Sequence, residues 1–314
     1  MSSGARQLLQ IAQETVNGVT PSPFNRATLP FTAVSLDQTA SKETSNTITD
    51  TRLAAPSSIT GLDVAGDIEA EFRYGTYDGL ISAVAFNDWV GNSLTFGGTL
   101  RKSFSVLRGY ADIDVYQLFS GVHVNTWAIS VPEQGLVTTT FGLLGKSRIS
   151  SIVLPSGTIA PDPLNPSYSS VSVGRILIDG QTTEGQACVT SFDFNWDNTM
   201  QVQRCLGGGL NIGAVIETSA VGTGSLTIAW SKLLGQDFYE RQFVNRTVSL
   251  ELYIREGSDE TGNSYTITIP TSEIVLGLPS GGKGDILQAT LEFTVVKDSP
   301  ILVRKPKVVP PVGG

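Results

Sequence analysis

The chain has 314 residues, of which 40% are hydrophobic and only 16% charged, with a formal net charge of −8. That supplies apolar side chain for one large core or two ordinary ones. It excludes tight electrostatic binding to nucleic acid, whose affinity comes from Lys and Arg displacing phosphate counterions.

The opening residues, MSSGARQLLQIAQETVNG, lack the apolar run of a secretory leader. No later stretch reaches the roughly 20 apolar residues of a membrane-spanning helix. Synthesis and folding in a cytoplasm are therefore expected, with no membrane insertion. Gly is frequent at 33 residues, and abundant Ser and Thr favour short strands joined by tight turns.

The first clear strand is IEAEFRY, where Ile68, Ala70, Phe72 and Tyr74 alternate with Glu69, Glu71 and Arg73. YDGLISAVAFNDW then switches to helical spacing, with Asp78 as a cap and Leu80, Ile81, Val84 and Ala85 as an apolar stripe. RGYADIDVYQLFSG, with Tyr116 and Leu118 alternating, reads as a protruding hairpin. PSGTIAPDPLNPSYSS, rich in Pro, Ser and Gly, reads as a linker over about residues 151–170. Beyond it, SFDFNW places Phe192, Phe194 and Trp196 on one face. SKLLGQDFYERQF predicts a second helix, capped by Ser231 with Leu234 and Phe238 on one face. SLELYI and TLEFTV repeat the strand alternation at Leu250, Leu252 and Ile254 and at Leu291, Phe293 and Val295, and the Pro-rich KPKVVPPVGG is a tail. Such half-polar strands belong to antiparallel sheets with one face buried.

The order of these elements repeats. SNTITDTRL parallels DNTMQVQRC, and each leads through a Gly-containing turn to a strand that ends in an aromatic residue and enters a helix. SLTF at Ser93–Phe96 then parallels SLEL at Ser249–Leu252, SFSVLR at Ser103–Arg108 parallels SYTITI at Ser264–Ile269, and GLVTTTFGLL parallels DILQATLEFTVV. The excursion RGYADIDVYQLFSG has no counterpart in this alignment. The expected organisation is an N-terminal arm (1–27), a first domain (28–150), a linker and connecting strand (151–183), a second domain (184–299) and a tail (300–314). The fold class is mainly β, with two tandem β-sandwich or barrel domains that each carry one flanking helix.

Catalytic and metal-binding patterns are weak. His123, the single histidine, alternates with Val122 and Val124 and reads as a strand residue rather than a general base. GNSLTFG lacks the small-residue spacing of a nucleophile elbow. Cys188 and Cys205 are too few for a disulfide scaffold; a bridge stays geometrically open, with two buried free thiols the expectation. With His123 they lack zinc-ligand spacing. Asp112-Ile113-Asp114 has no following Gly turn or closing Glu, so a polar hairpin tip is favoured over a calcium loop, and GSDETGNS reads as a connection between strands. CLGGGLNIG has no Gly-Lys-Ser/Thr and reads as a turn. Glu69 and Glu71 share a strand face as solvated carboxylates rather than a glycosidase pair. Asn245-Arg246-Thr247, a glycosylation acceptor string, carries no function in a cytoplasmic product.

One group of strings does carry functional information. QETVNGVTPSP is followed by LPFTAVSLDQTASKETSNTITDTRL, VAGDIEAEFRYGTYDGLISAV, LRKSFSVLRGYADIDVYQLFSGVHVNT and PEQGLVTTTFGLLGKS. Over about residues 8–148 these strings resemble the tail tube proteins of long-tailed, non-contractile bacteriophages, and the second half resembles them in outline, as a divergent copy. The resemblance implies a non-catalytic β-sandwich with one flanking helix, whose inner sheets join neighbours into a ring. Rings stack into a hollow tube in the virion tail, assembled in the host bacterial cytoplasm, and the DNA genome leaves through it. No cofactor or metal is implied. The partners implied are the chain itself, a tape measure protein, a tail terminator and distal tail proteins, with DNA transiting unbound.

If a ring needs six such domains, a chain carrying two should close as a trimer with pseudo-six-fold symmetry. Arg108, Tyr110, Asp112, Asp114, Tyr116, Leu118 and Phe119, on the expected hairpin, are the assembly-contact candidates, together with the N-terminal segment and the Pro-rich tail. Deleting 108–121 should then leave a folded monomer that does not polymerise. Glu69 and Glu71 are the candidates for an acidic lumen. The nearest other readings are a tube of a secretion system or tailocin, and a carbohydrate-binding or adhesion module. The last would need exposed aromatic loops, whereas Trp127, Trp196 and Trp230 fall in strand patterns and only Trp89 lies near a loop.

Overall fold

The computed structural model describes every residue except 1–3, 49, 51, 152, 185–187, 233, 245–246, 258–260, 280 and 308–314. The Asn245-Arg246 dipeptide, part of GSDETGNS and most of the Pro-rich tail lie outside the described residues.

In chain order the first half contains β1 (Gln7–Gln13), β2 (Arg26–Thr28), β3 (Ala33–Val34), β4 (Asp37–Thr44) and β5 (Ser57–Glu71), then α1 (Asp78–Val84). It continues with β6 (Ser93–Thr95), β7 (Phe104–Tyr110), β8 (Val115–Val131), β9 (Thr138–Gly145), β10 (Ser147–Ser151) and β11 (Ile159–Ala160). The second half contains β12 (Val173–Ile178), β13 (Gln181–Thr182), β14 (Val189–Asp197), β15 (Gln201–Gln203), β16 (Ala214–Ile216) and β17 (Val221–Ala229). An irregular helical run over 234–244 follows, which includes α2 (Tyr239–Arg241), and then β18 (Val248–Arg255), β19 (Ser264–Leu276), β20 (Gln288–Val295) and β21 (Ile301–Lys305). The architecture is mainly β, as the alternation of apolar and polar residues requires.

Each half is a sandwich whose two sheets share one long strand. The amino-terminal part of β8 pairs with β7 on one side and β10 on the other, and its carboxy-terminal part pairs with β9. β19 does the same with β18, β21 and β20. The ladders match residue by residue. β5 runs against β9 with Glu71 opposite Thr138, and Phe72 N–H donates to Val137 O. β17 runs against β20 with Ala229 opposite Gln288, and Trp230 N–H donates to Leu287 O. Residues 33–72 thus correspond to 191–230 at a constant offset, which makes Gly66 the counterpart of Gly224. Both are glycines for one reason: a Cβ would lie 2.6 Å from the Leu36 backbone in one case and 2.3 Å from Asp193 O in the other. Even the β-bulges repeat, between Phe104 and Val106 and between Val248 and Leu250.

This register revises the alignment drawn from the sequence. β7 matches β18 and β8 matches β19, so SFSVLR corresponds to TVSLEL at Thr247–Leu252 rather than to SYTITI. The segment RGYADIDVYQLFSG therefore has a counterpart, the β18–β19 hairpin, and it does not protrude. β7 is flanked by β1 and β8, and only 111–114 form the turn. The GLVTTTFGLL pairing with β20 is the one that the ladders reproduce.

α1 buries the apolar stripe of Leu80, Ile81, Val84 and Ala85. Asp78 does not cap it. Its carboxylate instead accepts hydrogen bonds from Tyr265 Oη and from the Arg304 guanidinium, both in the second half. The stretch read as a linker is stitched along the first half: β11 runs parallel to β2, and Tyr168 is buried with its N–H on Phe72 O. Cys188 and Cys205 are free thiols as expected, but exposed rather than buried, because both lie in connections outside the core.

Candidate assembly surfaces

The two halves share one sheet. The carboxy-terminal part of β8 pairs with β9 on one side and with β14 on the other, Trp127 opposite Trp196. The strand order is therefore β4-β5-β9-β8-β14-β17-β20-β19. Its inward face is aromatic at the junction. Trp127, fully buried, stacks on Phe96 at 5.5 Å and meets the edge of Phe194 at 6.1 Å, while its indole N–H donates to Thr139 Oγ1 at 2.9 Å. Large rings there remove much apolar area from water and fix the relative position of the halves. Two further ties cross the junction: β6 pairs with β21, and Asn198 Nδ2 donates to Val84 O at the end of α1.

The opposite face of this eight-stranded sheet is covered by no other layer among the described residues. Directly opposed residues share a face, and the ladders trace unbroken rows across it. One row runs Val275, Glu292, Ser225, Asp193, Ser130, Thr138, Glu71. The next runs Glu273, Thr294, Thr223, Asn195, Ala128, Thr140, Glu69. A third includes Asp197, Thr126, Gly142 and Asp67. The strand segments that build the face, 33–41, 61–71, 126–131, 138–145, 191–197, 221–229, 271–276 and 288–295, contain no Lys or Arg. Small hydroxyls and carboxylates make up most of these rows.

Glu69 and Glu71 both lie on this face, but in different states. Glu69 is exposed. Glu71 is half-buried, accepts the Ser167 hydroxyl at 2.5 Å and pairs with Arg73 at 3.2 Å. The Ser167 hydrogen bond, helped by Arg73, holds its carboxyl below the usual carboxylate range. A guanidinium from the 198–213 connection, Arg204, reaches Asp63 at 2.5 Å.

The hairpin candidates divide. Tyr116 and Phe119 are buried inside the subunit, and Leu118 is half-buried. Arg108 donates to Leu36 O at 3.1 Å and lies over the Tyr110 ring. Asp114 is exposed at the turn and Asp112 is half-buried beside it. Deleting 108–121 would therefore remove core residues, and changes confined to 111–114 are the ones that leave the subunit intact. Sequence reasoning missed the more prominent projection, the tip of the β4–β5 hairpin, where Ile48 and Leu53 are exposed. The strand before it, DQTASKET, is polar on both faces and gives no alternation to detect.

The residues weighed for catalysis and sugar binding hold structural places. His123 is buried, with Nδ1 on Lys102 O at 3.0 Å and Nε2 beside Asn17 Nδ2 at 3.1 Å, and burial pushes its pKa down. No group of His, Cys, Asp and Glu among the described residues could hold a metal ion, and no described helix is long and apolar enough to cross a membrane. Trp127 and Trp196 are core residues and Arg304 covers the Trp89 ring at 4.5 Å, so they offer no aromatic platform for a sugar.

The sequence model of a family described as phage tail tube protein matches residues 4–295. The chain belongs to that family. The match runs through both halves, including the second, which resembles the family only in outline when read from sequence. No curated protein matches the chain. As a family member the chain is a structural tail tube subunit, located in the virion tail and assembling with itself.

Proposed function

We propose that three copies of this tube subunit close into a ring of six equivalent sheets, and that rings stack into a hollow tube through which the phage DNA passes during ejection. The acidic, hydroxyl-rich face described above lines the channel. Glu69, Asp67, Asp193 and Glu292 lie on it, and the strand segments that build it carry no Lys or Arg, with Lys42 further along β4 the single such residue in its strands. That face is the observation that carries the reading. A basic wall would release phosphate counterions and hold the duplex, whereas a negative one repels it and lets it slide.

The trimer follows from the duplication: the chain already contains one copy of the contact that a ring of single-domain subunits would make between neighbours. The N-terminal segment, the 111–114 turn and the Pro-rich tail remain proposed contacts to the next ring, along with the β4–β5 tip. A tape measure protein inside the tube, and terminator and distal tail proteins at its ends, are the partners this role calls for, with assembly in the host cytoplasm of a long-tailed, non-contractile phage. Helical reconstruction of purified tubes tests the reading. The polar sheet face is expected to point inward, and a lumen lined by Lys and Arg, or by the opposite side of the subunit, would overturn it.

A further inference from the structure

The internal junction is a template for the contact between copies. It rests on the ring reading above, but its register comes from this chain alone. On the side away from β5, no strand pairs with β4 among the described residues, and on the side away from β20 none pairs with residues 273–276 of β19. These are the two free ends of the eight-stranded sheet.

The repeat says what each edge matches. β3 and β4 correspond to β14, which makes Gln38 the counterpart of Trp196 and Thr39 that of Asp197. Through their partners Phe141 and Leu291, Trp127 on β8 corresponds to Leu276 on β19, and likewise Thr126 corresponds to Val275. At the completed junction Trp127 faces Trp196 and Thr126 faces Asp197, antiparallel.

The Leu276 edge is not bare. Leu276 N–H donates to Gln242 Oε1 at 3.2 Å, and Gln242 Nε2 donates to Leu276 O at 3.0 Å. A single primary amide thus makes the two hydrogen bonds that an incoming strand residue would make. At the completed junction the matching place, counted back the same distance from β7, is Gly98, which has no side chain to offer. Apolar side chains lie exposed beside both edges: Phe243, Val244, Val275 and Leu278 near the first, and Ile149 on β10 near the second. In the second half the strand that corresponds to β10, β21, is covered by β6 of the first half.

We propose that Gln242 is a placeholder on the β19 edge, and that β4 of a second copy displaces it. The ladder formed puts Thr39 of the second copy opposite Val275 and Gln38 opposite Leu276. Because Leu276 points its backbone groups outward at Gln242, Val275 and Thr39 form a pair without mutual backbone hydrogen bonds. Such pairs bring Cβ atoms close enough for a disulfide. An edge closed by a side chain resists unregulated strand addition until a matching strand arrives.

The test uses full-length chain with Cys188→Ser and Cys205→Ser. Thr39→Cys combined with Val275→Cys should, on mild oxidation at concentrations where negative-stain images show rings, give covalently closed multimers on non-reducing gels. Each single variant, and Ser41→Cys with Val275→Cys, should not. Rings without the Thr39–Val275 link, or with the Ser41–Val275 link in its place, would overturn the register and leave the tube reading standing. Absence of rings and of links at every concentration would overturn both. Gln242→Ala should lower the concentration needed for ring assembly by about two- to tenfold, the worth of the hydrogen bonds that must be exchanged. An unchanged or raised threshold would rule out the placeholder.

Discussion

Trp127 and Leu276 hold equivalent positions on equivalent strands, yet one faces a neighbouring strand and the other a glutamine side chain. The same contrast runs through both halves. The first half is completed by the second: α1 is tied to Tyr265 and Arg304, β6 covers β21, and β14 extends its sheet. The second half has an irregular helical run, with Phe243 and Val244 exposed and the β19 end of its sheet without a paired strand among the described residues. What separates the halves is the presence of a neighbour within the chain: β14 continues the sheet beyond β8, and no strand continues it beyond β19 among the described residues.

The contrast can be broken most severely at the junction. Trp127→Ala removes the ring that links Phe96 and Phe194, and should cost about 3–5 kcal/mol of unfolding free energy in urea titration. A loss below about 1 kcal/mol would mean that the halves are held by something else. Next is the tie between α1 and the second half. Asp78→Asn should cost about 1.5–3 kcal/mol, the range for hydrogen bonds to a charged group, and combining it with Arg304→Gln should cost less than the two single losses together. The open edge should behave in the opposite way. Val275→Lys should leave chain stability within about 0.5 kcal/mol while abolishing ring formation in negative stain, since a charge on an edge strand blocks pairing. A substantially destabilised monomer would show that the edge serves the subunit and not the assembly.

The smallest effect concerns pH. Burial lowers the His123 pKa from its ordinary 6.5, so in acid the unfolded chain takes up a proton that the folded chain refuses. Stability from this group is fully present above about pH 6.5 and declines as pH falls from there towards the lowered value. The melting temperature should fall over that window, and His123→Asn should flatten it; an unchanged slope would remove His123 as the cause.

Much of this fold is legible in the amino-acid sequence. Alternation at Ile68–Phe72, Phe192–Trp196 and Leu291–Phe293 places the strands and their buried faces, because one-sided burial writes itself into sequence with period two. The duplication is legible as an order of elements. Its register is not, since backbone ladders fix it and the two copies share few side chains; Gly66 and Gly224 are among the few residues that carry it. Edge strands are the blind spot. β4 is an edge strand exposed on both faces, and such a strand has no buried face to display. The hairpin at 108–121 misleads for the converse reason: its apolar residues pack within a sheet flanked on both sides, and sequence alone does not say which neighbours cover them.

Native mass spectrometry of isolated rings tests the central claim most directly. If the junction between halves is the ring contact already made once, a ring contains three chains of 33.3 kDa. A ring of six chains would contradict it, because each half would then no longer stand for one subunit of the circle.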